Sequence, residues 1–168
     1  MKFPNNMKSP RPAAVLSFLL LGAALMPLHA STATTTFAVS ATVAATCLIS
    51  ATPLGFGNYT GVVDPASSTV TVTCTNTTPY NVGLSAGLAT GATVTTRKMT
   101  GPAAALLGYE LFTNAGHTTN WGLTIGTDTV AGTGNGAAQP ITIFGQIPAA
   151  EFVAPGAYAD TITATVTF

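Results

Sequence analysis

Charge is scarce in this sequence: Lys, Arg, Asp and Glu make up 6% of its 168 residues. From position 31 onward the charged residues are Arg97, Lys98, Asp64, Glu110, Asp128, Glu151 and Asp160, two basic against five acidic, a net charge of −3. A chain without a basic patch is a poor partner for nucleic acid, whose affinity rests on neutralised phosphates. Lys, Glu and Arg also cover the solvent faces of helices, so their scarcity argues against a helical protein. Histidine beyond position 30 is limited to His117, and cysteine to Cys47 and Cys74. Such a set offers little to a metal site, which needs three or four converging ligands. No cofactor is called for.

The basic residues that remain are Lys2, Lys8 and Arg11, and they precede a 14-residue apolar run, Ala13 to Met26, followed by Pro27 and "LHAS". A positive start, a short apolar centre and a small residue at a cutting point are the features of a secretory signal peptide. We expect residues 1–30 to be that peptide, with cleavage after Ala30 and Ala33 as the fallback. An uncleaved anchor would need a run of about 20 residues. In an oxidising compartment the two cysteines read most simply as one disulfide, Cys47–Cys74. The 138 residues left are enough for one domain with its own core.

Thr fills 31 of those 138 positions. Thr and Val carry branched Cβ atoms that suit a pleated surface and lose rotamer freedom in a helix, so the fold class expected is all-β. Apolar residues alternate in "TFAVSATVA", "STVTVTCT", "YNVGLS", "LGYELF", "ITIFGQI" and the terminal "ITATVTF". That period of two marks strands with one packed face. Turn clusters such as "NTTP", "TNAGHTTN", "GTGNG" and "APGAY" separate them, and many short strands at this spacing make a sandwich or a barrel. The single disulfide favours an immunoglobulin-like sandwich. "GPAAALLG" has room for one short helical turn between its Gly and Pro boundaries.

Catalysis has no foothold in this pattern. The titratable groups are scattered singly, and His117 lies in a polar loop where solvent exposure is expected. "GTGNG" superficially resembles a phosphate-binding loop, but it runs into another strand rather than a helix and reads as a hairpin turn. Trp121 is expected as a core or loop anchor, and Arg97–Lys98 as a solvated turn.

One feature of the terminal run asks for a partner. Ile162, Ala164, Val166 and Phe168 alternate with Thr to the last residue given. A strand there needs neighbours on both sides or it leaves an open edge. An uncharged segment with the same period, Phe37, Val39, Ala41 and Val43, precedes Cys47. By pattern alone this segment is equally a strand given to another molecule or the first strand of the chain's own sandwich.

The ordered set "TFAVSATVAATC", "TPLGFGNY", "STVTVTCTNTTPYNVGLSAG", "RKM", "LGYELFTNAGHTTNWG", "GTGNGAAQPITIFGQIP" and "VAPGAYADTITATVTF" resembles the spore coat protein U domain family, which groups with subunits of archaic chaperone-usher pili. The resemblance covers residues 31–168. It implies an incomplete immunoglobulin-like β-sandwich completed by a donor strand from another subunit or from a chaperone. It also implies that residues 31–46 are an N-terminal donor extension and 47–168 the sandwich. Phe37, Val39, Ala41 and Val43 would then donate, while Gly156, Ile162, Ala164, Val166 and Phe168 would mark the acceptor edge and chaperone-binding strand. Gly156 and Phe168 keep the separation of twelve residues that pilins show between a Gly and a late aromatic, although here the aromatic is the last residue rather than the one before it. The partners implied are a periplasmic pilus chaperone, an outer-membrane usher and neighbouring subunits. The function expected is a secreted structural subunit of a surface fibre, used in adhesion or biofilm. A monomeric secreted or coat-forming protein of the same fold is the alternative, and a carbohydrate-binding adhesin, for which one Trp and four Tyr offer little stacking surface, is the weaker third.

Overall fold

The computed structural model describes residues 29–168. The expected signal peptide therefore lies outside the described residues, apart from His29 and Ala30. Contacts divide the chain at position 40. In the first part, residues 29–40 carry no strand and every one is exposed.

In the second part, residues 41–46 are also exposed and free of regular structure, and eight strands follow. They are β1 (Cys47–Ala51), β2 (Asp64–Cys74), β3 (Pro79–Leu84), β4 (Arg97–Thr100), β5 (Leu106–Phe112), β6 (Val130–Thr133), β7 (Gln139–Ile147) and β8 (Ala164–Thr167). All pair antiparallel in two sheets, one ordered β1-β2-β7-β5-β4 and the other β6-β3-β8. The backbone of the larger sheet is the long β2–β7 ladder, in register from Asp64↔Ile147 to Val72↔Gln139. The all-β sandwich expected from composition is thus what the chain forms.

The core follows the period of two. Val70, Val72 and Cys74 of β2, Tyr80, Val82 and Leu84 of β3, Leu107, Tyr109 and Leu111 of β5, and Ile143 and Ile147 of β7 are all buried. They pack with Trp121 into one cluster between the sheets. Alternate residues of a strand face the same way, so each buried set is the inward face and the Thr residues between it form the wet face. Trp121 has no exposed surface, and its indole N–H donates to the Val82 carbonyl at 2.8 Å. It is the core anchor that was expected.

Three local readings differ from the sequence expectation, and a fourth, the short helical turn, holds with an unusual backbone. Arg97 is not in a solvated turn: it is fully buried, donating from Nε to the Ser85 carbonyl at 2.9 Å and from its terminal nitrogens to those of Val94, Leu84 and Trp121. Three chain segments end there with carbonyls aimed at one point, and a guanidinium is the group that satisfies several at once. Burial lowers the Arg97 pKa from its ordinary value, partly offset by the acidic groups around it, Asp160, Asp128 and Glu110 among them. "GTGNG" is no hairpin, because β6 and β7 belong to different sheets. It crosses between them, held by Gly134 N–H to Thr78 O at 2.7 Å and Gly136 N–H to Cys74 O at 3.0 Å. His117 is half-buried, its ring edge-on to Phe112 at 5.1 Å between centroids. The short helical turn at Pro102–Ala104 exists, but with Ala103 and Ala104 at positive φ.

Candidate functional site

The two sheets do not close on each other along one side. β1 is the last strand of the larger sheet and pairs only with β2, and β8 is the last strand of the smaller sheet and pairs only with β3. Their Cα atoms come within 8 Å of each other. Among the described residues neither outer edge is hydrogen-bonded to a further strand, so each presents unpaired backbone N–H and C=O groups.

Where β1 ends and β8 begins lies a groove of about 400 Å³. Ala51, Thr52, Pro53 and Leu54 form one bank, Ile162 and Ala164 the other. Val70, Leu84, Leu111 and Ile143 of the core lie along its floor. Asp160 is the only charged residue in the lining. Ile162, Ala164 and Val166 pack against the core yet are only half-buried, whereas Thr163, Thr165 and Thr167 are exposed. Inward side chains that stop at half burial mark a face with room left beside it. Their cross-strand partners make the contrast plain, since Val82, opposite Val166, has no exposed surface at all.

The structure places the remaining candidates as follows. Phe168 lies beyond β8 and is 58% exposed. Gly156 sits eight residues before β8, in the turn "APGAY", not at the strand's start. Its φ of +153° and the overlap that a Cβ would make with Pro102 require glycine there. Phe37, Val39 and Val43 are 84%, 85% and 85% exposed, and no strand covers Phe37 to Val43. Ala41 is exposed as well.

Cys47 and Cys74 are bonded to each other, as expected, and are also directly paired in the β1–β2 ladder. The bond ties edge strand β1 to the sheet at the point where the N-terminal segment ends. At the other end of β1, Ser68 donates to the Thr52 carbonyl at 2.5 Å and contacts the Thr52 hydroxyl at 2.9 Å. The bank is thus fixed at both ends.

Sequence reasoning missed Tyr109 and Asp160, which both line the groove. The Tyr109 hydroxyl donates to Asp160 Oδ2 at 2.7 Å. Burial, then that hydrogen bond, pushes the Tyr109 pKa far above its ordinary value, so the hydroxyl stays a donor. The available signal was faint: Asp160 is the one charge next to the terminal alternating run.

A second, larger cleft of about 1040 Å³ lies between the loops 54–61 and 151–158. Leu54, Phe56, Met99 and Tyr158 line both cavities. Among the described residues no group of three His, Cys, Asp or Glu side chains is placed to hold a metal.

Comparison with known proteins matches this geometry to one family. The Spore Coat Protein U domain model matches residues 33–165. "Protein U" of Myxococcus xanthus is 32% identical over 162 residues, covering 86% of this chain and 90% of that protein. Among solved structures, the CsuC–CsuE chaperone–tip adhesion subunit pre-assembly complex from the archaic chaperone-usher Csu pili of Acinetobacter baumannii superposes with a TM-score of 0.59 at 26% identity. The match covers 76% of this chain and 41% of the matched chain, so this chain spans less than half the length of that neighbour.

Proposed function

This chain belongs to the Spore Coat Protein U domain family, a family of structural coat and pilus proteins, and on that premise we propose that it is an exported subunit of a surface fibre built by donor-strand complementation. The observation that carries the reading is the groove between β1 and β8. It is mostly apolar, with Asp160 its one charged lining residue, and it opens at Ala51 and Ala164, the ends of two strands whose outer edges are unpaired. A strand laid there satisfies the edges by β-augmentation and places alternate side chains in the gap.

The chain also carries a segment with the matching chemistry. Phe37, Val39, Ala41 and Val43 are exposed, apolar, alternating and uncharged. In the proposed cycle a periplasmic chaperone first fills the groove with a strand of its own, and the Phe37–Val43 segment of a neighbouring subunit then replaces it at an outer-membrane usher. The likeness to a chaperone–subunit pre-assembly complex supports a chaperone and other subunits as the partners. Residues 1–30 would direct export and be removed, and use of the fibre in adhesion or biofilm follows from its place on the surface.

The test uses the peptide "STATTTFAVSATVAA". Without chaperone or peptide the chain should be poorly soluble, folded when dilute and aggregating as its concentration rises, since it exposes an apolar groove and bare edges. Added peptide, or the same segment fused after Phe168 through a flexible linker, should give a soluble monomer with a raised Tm. A chain that is already a stable monomer and ignores the peptide would sink the proposal. The second reading, a monomeric secreted or coat-forming structural protein of the same fold, draws on the family's description as a spore coat domain. Ladders on an unboiled gel separate the two.

A further inference from the structure

The acceptor bank β8 is slight for the role proposed for it. It has four residues and one strand neighbour, and a pairing that short is weak by itself. Besides the backbone bonds of Ala159 to Thr100 and of Ser85 to Thr163, what positions it is a carboxylate four places before its first residue. Asp160 accepts at Oδ2 from the Tyr109 hydroxyl at 2.7 Å, and at Oδ1 from the backbone N–H groups of Leu88 and Thr161, each at 2.8 Å.

Tyr109 belongs to β5 of the five-stranded sheet, whereas Asp160 leads into β8 of the three-stranded one. Their bond therefore runs from one sheet to the other, and both residues line the groove. The local backbone is shaped around the carboxylate: Gly87, at φ +90°, has no room for a Cβ, which would overlap Asp160. Next along the chain, the Ser85 hydroxyl accepts from the Thr163 N–H at 2.9 Å. The start of β8 is held by its ladder, which continues in the Ser85 N–H to Thr163 carbonyl bond at 3.0 Å, by these side-chain ties, and by the backbone bridge of Ala159 to Thr100 of β4.

We propose that the Tyr109–Asp160 bond sets the width of the groove and so decides the size of side chain that an incoming strand can present. Tyr109 and Asp160 are positioning residues for strand acceptance. The inference rests on the acceptor-groove reading above. Packed faces tolerate little extra volume when their separation is fixed. With the tie intact the groove rejects an enlarged side chain. With it cut, the segment leading into β8 keeps its backbone bridge from Ala159 to Thr100 but loses its side-chain tie to β5 beside the groove, so that wall yields to a larger side chain and the rejection fades.

The experiment measures binding of labelled "TTTFAVSATVAA" to the full oxidised chain, alongside two enlarged versions carrying Ala41→Leu or Val43→Phe, the positions that face Ala164 and Ile162 of the groove. The native groove should prefer the unmodified peptide by about tenfold, the usual scale of overpacking. Tyr109→Phe removes one hydroxyl and should compress that preference to about twofold. Asp160→Asn keeps an acceptor for the Leu88 N–H and can donate to the Tyr109 oxygen, so it should retain the native preference. If Tyr109→Phe weakens all three peptides by one common factor, the bond serves stability alone and the inference is wrong. If Tyr109→Phe fails to fold, Asp160→Ala cuts the tie from the other side with the same two readings. A native chain that binds none of the peptides overturns the acceptor-groove reading, and this inference with it. A native chain that binds them all without preference overturns this inference only.

Discussion

Two stretches of this chain carry one pattern and meet opposite fates. In Phe37–Val43 the apolar residues run Phe, Val, Ala, Val, and in Ile162–Phe168 they run Ile, Ala, Val, Phe, nearly the same series reversed. The second supplies β8, with Ile162, Ala164 and Val166 packed on the core and the Thr residues between them in water. The first has no strand and no buried residue. Alternation states that a segment can pack one face of a strand. It does not state where the neighbour comes from, and a strand lacking one cannot hold its backbone bonds. One stretch finds β3 within its own chain. The other has the chemistry of a strand and, on our reading, another molecule's groove to occupy.

The largest effect should come from breaking that complementarity on the donor side. Val39→Asp would bury an unpaired carboxylate in the groove of the next subunit, at a cost of several kcal/mol. Ser40→Asp puts the same charge on the opposite face, in water. Polymer should be lost with the first and kept with the second, while both subunits still load onto their chaperone. Equal assembly by both variants, or misfolding of Val39→Asp on its chaperone, would mean that Phe37–Val43 serves its own subunit's core.

Next in size is the link between the two stretches. Cys47–Cys74 pins β1, the bank facing β8, and closes a loop with a sequence separation of 27. Cys47→Ser should lower stability by roughly 2 to 5 kcal/mol, measured by denaturant unfolding of the peptide-complemented chain. A loss below 1 kcal/mol would show that the β1–β2 ladder holds this bank unaided.

A smaller contrast tests whether the groove is open. Val82 and Val166 are paired across β3 and β8, one fully buried and one half-buried. Val82→Ala should cost about 2 kcal/mol and Val166→Ala about 1 kcal/mol in the free chain, because the lost transfer energy scales with the area taken from water. Adding the peptide should raise the cost of Val166→Ala toward that of Val82→Ala. Equal costs before addition would mean the groove is already filled.

How much of this was legible beforehand depended on whether the determinant was local. β2, β3, β5, β7 and β8 could be read from alternation, since their inward residues repeat over several periods. β1, β4 and β6 could not, because four or five residues such as "RKMT" or "VAGT" carry too few periods, and these strands exist through the neighbours they pair with. Gly-rich "GTGNG" has the same turn chemistry whether the next strand pairs beside the last or crosses to the other sheet. Arg97 was the hardest to foresee. A full charge is rarely buried, and the carbonyls of Leu84, Ser85, Val94 and Trp121 that surround it converge only once the chain has folded. The groove shares that property: its banks are Ala51–Leu54 and Ile162–Ala164, over a hundred residues apart in sequence. Its acceptor face was readable as a period and its tie, Tyr109–Asp160, was not.

The smallest expected effect concerns Phe168 and the direction in which the donor lies. Phe168 is 58% exposed and outside β8, so Phe168→Ala should change the stability of the free chain by no more than about 0.5 kcal/mol, as for an ordinary surface position. The reversed order of the two series gives this residue a second role. An antiparallel donor in the register Phe37 to Phe168 sets Val39 beside Val166, Ala41 beside Ala164 and Val43 beside Ile162, matching large with large and small with small. A cross-strand aromatic pair contributes roughly 0.2 to 1 kcal/mol. Phe168→Ala should therefore weaken peptide binding by about that much, two- to fivefold, while the unbound chain melts as before. In the same register Ser40 and Thr165 are neighbours on the wet face, so Ser40→Cys in the peptide should cross-link to Thr165→Cys in the groove. Cross-linking at Thr163→Cys instead, with Phe168→Ala silent in both assays, would assign the donor a different register and leave Phe168 outside the site.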